Sequence, residues 1–206
     1  MLTFDPDSHS FTLDGLLVPS VTQVLAPLSD SGASYYMYME SARRRGVAVH
    51  EATERYDRLR GALRSAWKPN DASMAATVAP YLAAWQKFLA DTDFEVHAIE
   101  EMVSSKRHRY AGILDRLGVL NGQRVVIDIK TNVVIKPVMG LQLAAYQAAA
   151  NEGRPKAEQY PQRFICQLRK DGNYRLEEFR DRADMTVFLA LLTIWNWKAL
   201  HEGGGA

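Results

Sequence analysis

Cysteine is almost missing from this chain. One thiol in 206 residues, Cys166, rules out an internal disulfide framework, a cysteine-rich zinc site and an all-cysteine iron–sulfur cluster, and it makes a reducing cytoplasm the expected compartment. Cys166 lies in the strand-like run 164–168, Phe-Ile-Cys-Gln-Leu, where a buried inert thiol is expected rather than a nucleophile. Long hydrophobic runs are missing as well. The longest, Met185 to Trp195, is broken by threonine and falls far short of the roughly 20 residues that a membrane span needs. No lysine or arginine precedes Arg43, so no secretory signal is expected. A marked excess of either charge is also lacking, since 25 cations face 24 anions. That balance speaks against a polyanion partner only if the charges are evenly spread.

They are not evenly spread. Residues 1–40 hold Asp5, Asp7, Asp14, Asp30 and Glu40 and no cation. Residues 41–68 reverse this, with Arg43, Arg44, Arg45, Arg55, Arg58, Arg60, Arg64 and Lys68 against Glu51, Glu54 and Asp57. A second basic cluster, Lys106, Arg107 and Arg109, falls between two strand-like runs. Solvated helix faces explain such runs in general, and phosphate contacts are the alternative.

Short strands are expected at Leu2 to Asp5, Ser10 to Leu13 and Leu16 to Val18, joined by turns. Ser20 can then cap a short helix through Val24. Helical composition runs from Ala33 to Leu63, with Gly46 as a break or close-packing point. Met74 to Ala90 forms a second helix, with Val78, Leu82, Trp85 and Leu89 at helical spacing. Strands follow at Glu95 to Val103, Tyr110 to Leu120 and Arg124 to Lys130, then a helix from Pro137 to about Asn151. Strands at Arg163 to Leu168 and Tyr174 to Phe179 precede a last helix from Arg182 to Leu200, on which Trp195 packs and Trp197 lies at the rim. Without repeats or a long linker, the chain reads as one α/β domain: a mainly helical region over 1–92, a sheet and helix over 93–180, a helix over 181–201, and a tail over 202–206.

The segment 111–131 is the most informative. Asn121-Gly122 between two apolar runs is a strong hairpin signal, because a type I′ turn needs positive φ at both central residues. Leu120 then faces Gln123, and the same register places Asp115 opposite Asp128 with Lys130 on their face. Like charges directly opposed on a sheet repel, so something should offset them. Two readings fit: a hard divalent cation such as Mg²⁺ or Mn²⁺, or a water-solvated carboxylate pair screened by Lys130.

An ordered series of motifs resembles the PD-(D/E)XK nuclease superfamily, in particular its RecB-like branch. Gly46-Val-Ala-Val-His50 is similar to the branch's Gly-x-x-x-His. Glu100 resembles the acidic residue of its first core strand, with Glu101 as the neighbouring choice. Ala111-Gly112-Ile-Leu-Asp115 resembles Ala-Gly-x-x-Asp, Asp128-Ile-Lys130-Thr131 resembles Asp-x-Lys-Thr, and Gln142-Leu-Ala-Ala-Tyr146 resembles Gln-x-x-x-Tyr. The resemblance implies a restriction-endonuclease-like αβββαβ core, a mixed sheet flanked by helices, elaborated here by an N-terminal β-hairpin and helices. It also implies a divalent metal and hydrolysis of nucleic-acid phosphodiesters. Asp115 and Asp128 would hold the metal, with Ile129 through its carbonyl and His50 and Glu100 beside it. Lys130 would assist the attacking water, and Gln142 and Tyr146 would order the site and contact substrate. The iron–sulfur cluster of some relatives is excluded by the single cysteine.

The expected function is therefore a Mg²⁺- or Mn²⁺-dependent DNA nuclease, an exonuclease with little sequence preference in recombination, repair or phage DNA processing. Arg43, Arg44, Arg45, Arg55 and Arg58, with Lys106, Arg107 and Arg109, are its candidate phosphate contacts. DNA is the expected partner, together with a recombination or replication protein, and no membrane. A non-cleaving nucleic-acid module on the same fold, a structure-specific endonuclease and a protein-interaction domain are the competing readings.

Overall fold

The computed structural model describes residues 1–28, 36–59, 72–131 and 134–202. Arg60, Arg64, Lys68 and the glycine tail lie outside them. A small antiparallel sheet of β1 (Leu2–Asp5), β2 (Ser10–Leu13) and β3 (Leu16–Val18) opens the chain, one strand more than a hairpin. Helix α1 (Val21–Leu25) follows behind a capping box, in which the Ser20 hydroxyl accepts from the Gln23 backbone and the Gln23 side chain accepts from Ser20. Helices α2 (Tyr36–Leu59) and α3 (Ala72–Thr92) precede a five-stranded sheet in the order β4 (Glu95–Ser105), β5 (Tyr110–Leu120), β6 (Gln123–Lys130), β7 (Gln162–Leu168), β8 (Tyr174–Glu178). All pairings are antiparallel except β6 with β7, which α4 (Val138–Asn151) connects as a crossover. Helix α5 (Ala183–His201) closes the chain. Among the described residues, no helix is long and apolar enough to cross a membrane.

Both faces of the sheet are covered, which is why β5 is buried along nearly its whole length. Val103, Leu114, Leu117, Val126 and Ile165 pack under α1, α4 and α5. Val125, Ile127, Ile129 and Cys166 pack under α2 and α3 with Trp85, Phe88 and Phe94. Cys166 is fully buried and burial pushes its thiol pKa far up, as an inert core thiol requires. Trp195 is half-buried against the first core, while Trp197 is exposed.

Gly46 departs from its expected role. Helix α2 runs straight through it, and a Cβ at that position would meet nothing within 4 Å. It neither breaks the helix nor packs closely; it leaves bare backbone one turn before His50.

Candidate metal and nucleic-acid site

The hairpin turn forms as its sequence requires, with φ of 51° at Asn121 and 76° at Gly122. The register starts at Leu120↔Gln123 and ends at Arg116↔Ile127. It stops one pair short of the expected Asp115–Asp128 pair, because the strands diverge there. Asp115 bridges the opening with its side chain, Oδ2 accepting from the Ile129 backbone N–H at 2.5 Å. Farther along the freed edge of β5, Ala111 N–H donates instead to Pro19 O at 3.0 Å, where the entry to α1 forms a parallel bridge at Ser20.

Strand alternation also slips at this point. Leu114 and Leu117, three residues apart, both join the core under α4, so Asp115 and Arg116 in succession face α2. The partner strand is disturbed at the same place. Pairing passes from Ile99↔Arg116 to Glu101↔Leu114 in unchanged register, leaving Glu100 and Asp115 opposite each other but outside the ladder, and Glu100 has φ of 49°, a conformation that costs a non-glycine residue about 1 kcal/mol or more. Glu100 is half-buried and turned inward, while Glu101 is exposed.

Three ligand-type side chains converge in the opening. His50 from α2, Glu100 from β4 and Asp115 from β5 offer atoms that all lie within 4.8 Å of one another. His50 Nδ1 is 3.5 Å from Asp115 Oδ1 and 3.6 Å from Glu100 Oε1. Its Nε2–H donates to Ile129 O at 3.1 Å, which fixes the ring and leaves Nδ1 for the carboxylates. The Ile129 carbonyl is thus engaged by His50. Asp128 stands beside this trio rather than in it. Its Oδ2 lies 2.7 Å from Lys130 Nζ in a buried ion pair. Burial raises the Asp128 pKa, with Lys130 opposing the rise and Asp115 adding to it. Lys130 stays protonated despite burial because Asp128 and Asp115 outweigh that penalty.

The donor set suits a divalent ion. Metal–oxygen bonds of about 2.1 Å put opposite ligands about 4.2 Å apart, so the trio needs only a small contraction, and Asp128 adds a buried carboxylate beside it. In the metal-free protein a proton on His50 plays a similar role. Burial pulls its pKa down, but the carboxylates of Asp115 and Glu100 win and hold it at about 9. This raised pKa contributes stability that is complete below the unfolded value of about 6.5 and is lost as pH rises through 9. Nuclear magnetic resonance of the His50 ring should give a midpoint near 9 that falls in Asp115→Asn. A midpoint near 6.5 would mean that Nδ1 does not face ionised carboxylates.

Two of the sequence motifs meet through one contact. A Cβ on Gly112 would sit 2.6 Å from the Tyr146 ring, so the glycine two residues into β5 lets the aromatic ring of α4 come close to the strand backbone. Gln142 Nε2 donates to Tyr146 Oη at 3.2 Å. Burial raises the Tyr146 pKa beyond the usual range, and the Asp128 charge adds to the rise, so the hydroxyl stays protonated. Gly112→Ala should cost about 1–3 kcal/mol by overpacking, read as a lower melting temperature, with the phenol displaced from the site. An unchanged melting temperature would show that the ring gives way freely.

The candidate phosphate contacts divide by environment. Arg43 and Arg44 are exposed and share Glu40, which they hold down at about 2. Arg45 is half-buried over the Tyr81 ring, and Arg58 pairs with Glu54. Arg55 is exposed. On the β4–β5 turn, Lys106 and Arg107 are exposed, whereas Arg109 reaches Leu13 O at 3.3 Å. Glu152, at the end of α4, pins this turn by accepting from Ser105 Oγ and from the backbone N–H groups of Lys106 and Arg107.

The sequence placed Trp85 on the apolar face of its helix, but sequence reading missed that it is buried together with Thr53, Asp57 and Arg116. Asp57 counted as a surface charge, yet its side chain is 1% exposed and bonded to Arg116, itself 0% exposed. The signal was present. Thr53 and Asp57 follow His50 by three and seven residues, on one helix face, and a lone arginine between Leu114 and Leu117 needs a buried anion.

A profile of the PD-(D/E)XK nuclease superfamily matches residues 36–192. Among solved structures, the alkaline exonuclease LHK-Exo from Laribacter hongkongensis superposes with a TM-score of 0.49 at 14% identity, over 89% of this chain and 88% of its own. A candidate exonuclease from Eubacterium rectale gives 0.50 at 11% identity, over 84% of this chain and 68% of its own. At 11% identity the second likeness is one of fold alone. No curated protein sequence matches.

Proposed function

This chain belongs to the PD-(D/E)XK nuclease superfamily, and from that premise we propose that it is a Mg²⁺-dependent deoxyribonuclease that degrades DNA from its ends with little sequence preference. The observation that carries the metal-dependent reading is the convergence of His50, Glu100 and Asp115 beside the Asp128–Lys130 pair, at the point where β5 and β6 diverge.

His50 Nδ1, Glu100 and Asp115 would hold the metal, with Asp128 as an adjoining carboxylate. Bound there, a hard divalent ion supplies Lewis acidity toward a phosphodiester oxygen. Lys130, kept protonated by its neighbours, acts as a fixed positive charge that stabilises the phosphate as negative charge develops, and it can orient a water. A protonated ammonium does not remove that water's proton. The Tyr146 hydroxyl accepts from Gln142, which leaves its own proton to donate to a substrate oxygen.

Arg43 lies seven residues before His50, about 10 Å along the helix. The Lys106–Arg107 turn lies about 20 Å along β4 from Glu100. Groups so placed would track a phosphate backbone over several nucleotides without reading bases, which fits a sequence-tolerant enzyme. The family resemblance adds a recombination or replication protein as a further partner.

The decisive assay uses end-labelled linear and circular DNA, single- and double-stranded, and RNA, with Mg²⁺, Mn²⁺ or EDTA. Linear DNA should be cut with Mg²⁺ and spared in EDTA, and circular DNA should survive. Cleavage of circles would overturn the end-dependent reading, and cleavage in EDTA the metal-dependent one. Replacing Arg43 and Arg44 by glutamine should weaken DNA binding and reduce the slope of log affinity against log salt by about 1–2. An unchanged slope would remove α2 from the interface.

A further inference from the structure

Arg116 has no role in the chemistry above, yet it touches each of the three elements that carry His50, Glu100 and Asp115. Its side chain is 0% exposed, and a guanidinium at that depth must be paired and fully hydrogen-bonded. Nε lies 2.7 Å from Asp57 Oδ2, Nη2 donates to Thr53 Oγ1 at 3.2 Å, and Nη1 donates to Asp115 O at 2.7 Å and to Glu100 Oε1 at 3.2 Å. The guanidinium also lies over Trp85, 5.5 Å from the ring centroid, while Trp85 Nε1–H donates to Asp57 Oδ1 at 2.9 Å. One planar fork therefore ties α2, β4 and β5 together behind His50, Glu100 and Asp115.

We propose that Arg116 is a positioning residue that sets the affinity of the site for a divalent ion, and that Asp57 keeps Arg116 from competing with that ion for Glu100. The proposal rests on the metal reading of the site. The distances give its logic. Of the two carboxylates on Arg116, Asp57 is the closer, at 2.7 Å against 3.2 Å for Glu100, so Asp57 is the stronger charge-assisted partner, and the longer contact at Glu100 orients that carboxylate without saturating it. The same contact holds Glu100 in its positive-φ conformation, turned inward. Without the Asp57 charge, Arg116 would neutralise Glu100 itself, and a metal would have to displace it.

The test is Mn²⁺ titration of the full chain, followed by the resonance of free Mn²⁺, in the wild type, Asp57→Asn, Glu100→Gln and the double variant. Asparagine retains the acceptor for Trp85, and thermal unfolding checks that each protein is folded. Asp57→Asn should weaken Mn²⁺ binding about tenfold or more. Loss of one negative charge near a cation site lowers affinity whatever residue 100 is, so the informative quantity is the coupling between the two positions. Much of the Asp57→Asn effect should vanish in the Glu100→Gln background. An equal loss in both backgrounds, or no loss in either, overturns the proposal. Arg116→Lys keeps the charge and discards the fork, so it serves if Asp57→Asn does not fold; it too should weaken binding when Glu100 is present and not when glutamine replaces it. A wild-type protein that binds no Mn²⁺ overturns the metal reading itself, a result distinct from a metal-binding protein that shows no coupling.

Discussion

Asp128→Ala is expected to slow phosphodiester cleavage by about a thousandfold or more while changing DNA affinity little. The size follows from removing a buried charge that faces both Lys130 and the ligand cluster. Loss of a single preorganised electrostatic group costs about a hundred- to a thousandfold, and here the lysine that it holds is released as well. Single-turnover cleavage with Mg²⁺, alongside binding measured in EDTA, separates the two effects. Full activity would remove Asp128 from the site. Asp128→Asn serves as the control for folding. Burial raises the pKa of this carboxyl above its unfolded value of 3.8, so its contribution to stability is complete below that value and is lost as pH rises through the folded pKa. At neutral pH the ionised group is a cost to the fold. The asparagine variant removes that cost but also the buried counter-ion of Lys130, and loss of one partner of a buried pair is destabilising, so it should fold with a lower melting temperature than the wild type while lacking activity.

Gly118→Ala should have the largest effect on the fold. A Cβ there would lie 2.2 Å from the Glu95 carbonyl oxygen and 2.4 Å from the buried Phe94 ring. The first of these atoms is backbone, so no rotamer change relieves it. The pairing of β4 with β5 shifts by one residue around His97 just at this crossing, and the bulge presses the start of β4 onto the glycine. Overpacking of this kind costs about 1–3 kcal/mol when side chains can move and more when they cannot. A loss above about 3 kcal/mol in chemical denaturation, or failure to fold, is the expected result. Gly46→Ala is the contrast, since its Cβ meets nothing and alanine favours a helix by up to about 1 kcal/mol. A mild effect of Gly118→Ala would mean that the ends of β4 and β5 are loosely held.

Local patterns account for much of what the sequence revealed. The Asn121-Gly122 turn, the Ser20 cap, the helix beginning behind Pro137 and the apolar run of β5 each depend on neighbouring residues, and each formed. The αβββαβ core that the family resemblance implied is the order observed from α3 to β7. Gly46 did not fit, because a glycine within a helix gives no local sign of whether its missing side chain would touch anything.

The sequence by itself determined the elements, their order, the hairpin register and the family to which the motifs point, because those rest on contacts within a strand pair or a few helical turns. Only the tertiary structure decided which acids meet. The register pointed to Asp115 with Asp128, but β5 and β6 diverge before that pair is reached, and the break in the ladder at Glu100 turns successive residues toward α2. The result is a trio of His50, Glu100 and Asp115 drawn from three separate elements. Behind it stands Arg116, whose buried charge requires Asp57 from a helix 59 positions away in sequence. A strand's periodicity cannot express such a pairing, because the demand for a counter-ion arises only when the two elements close on each other and exclude water.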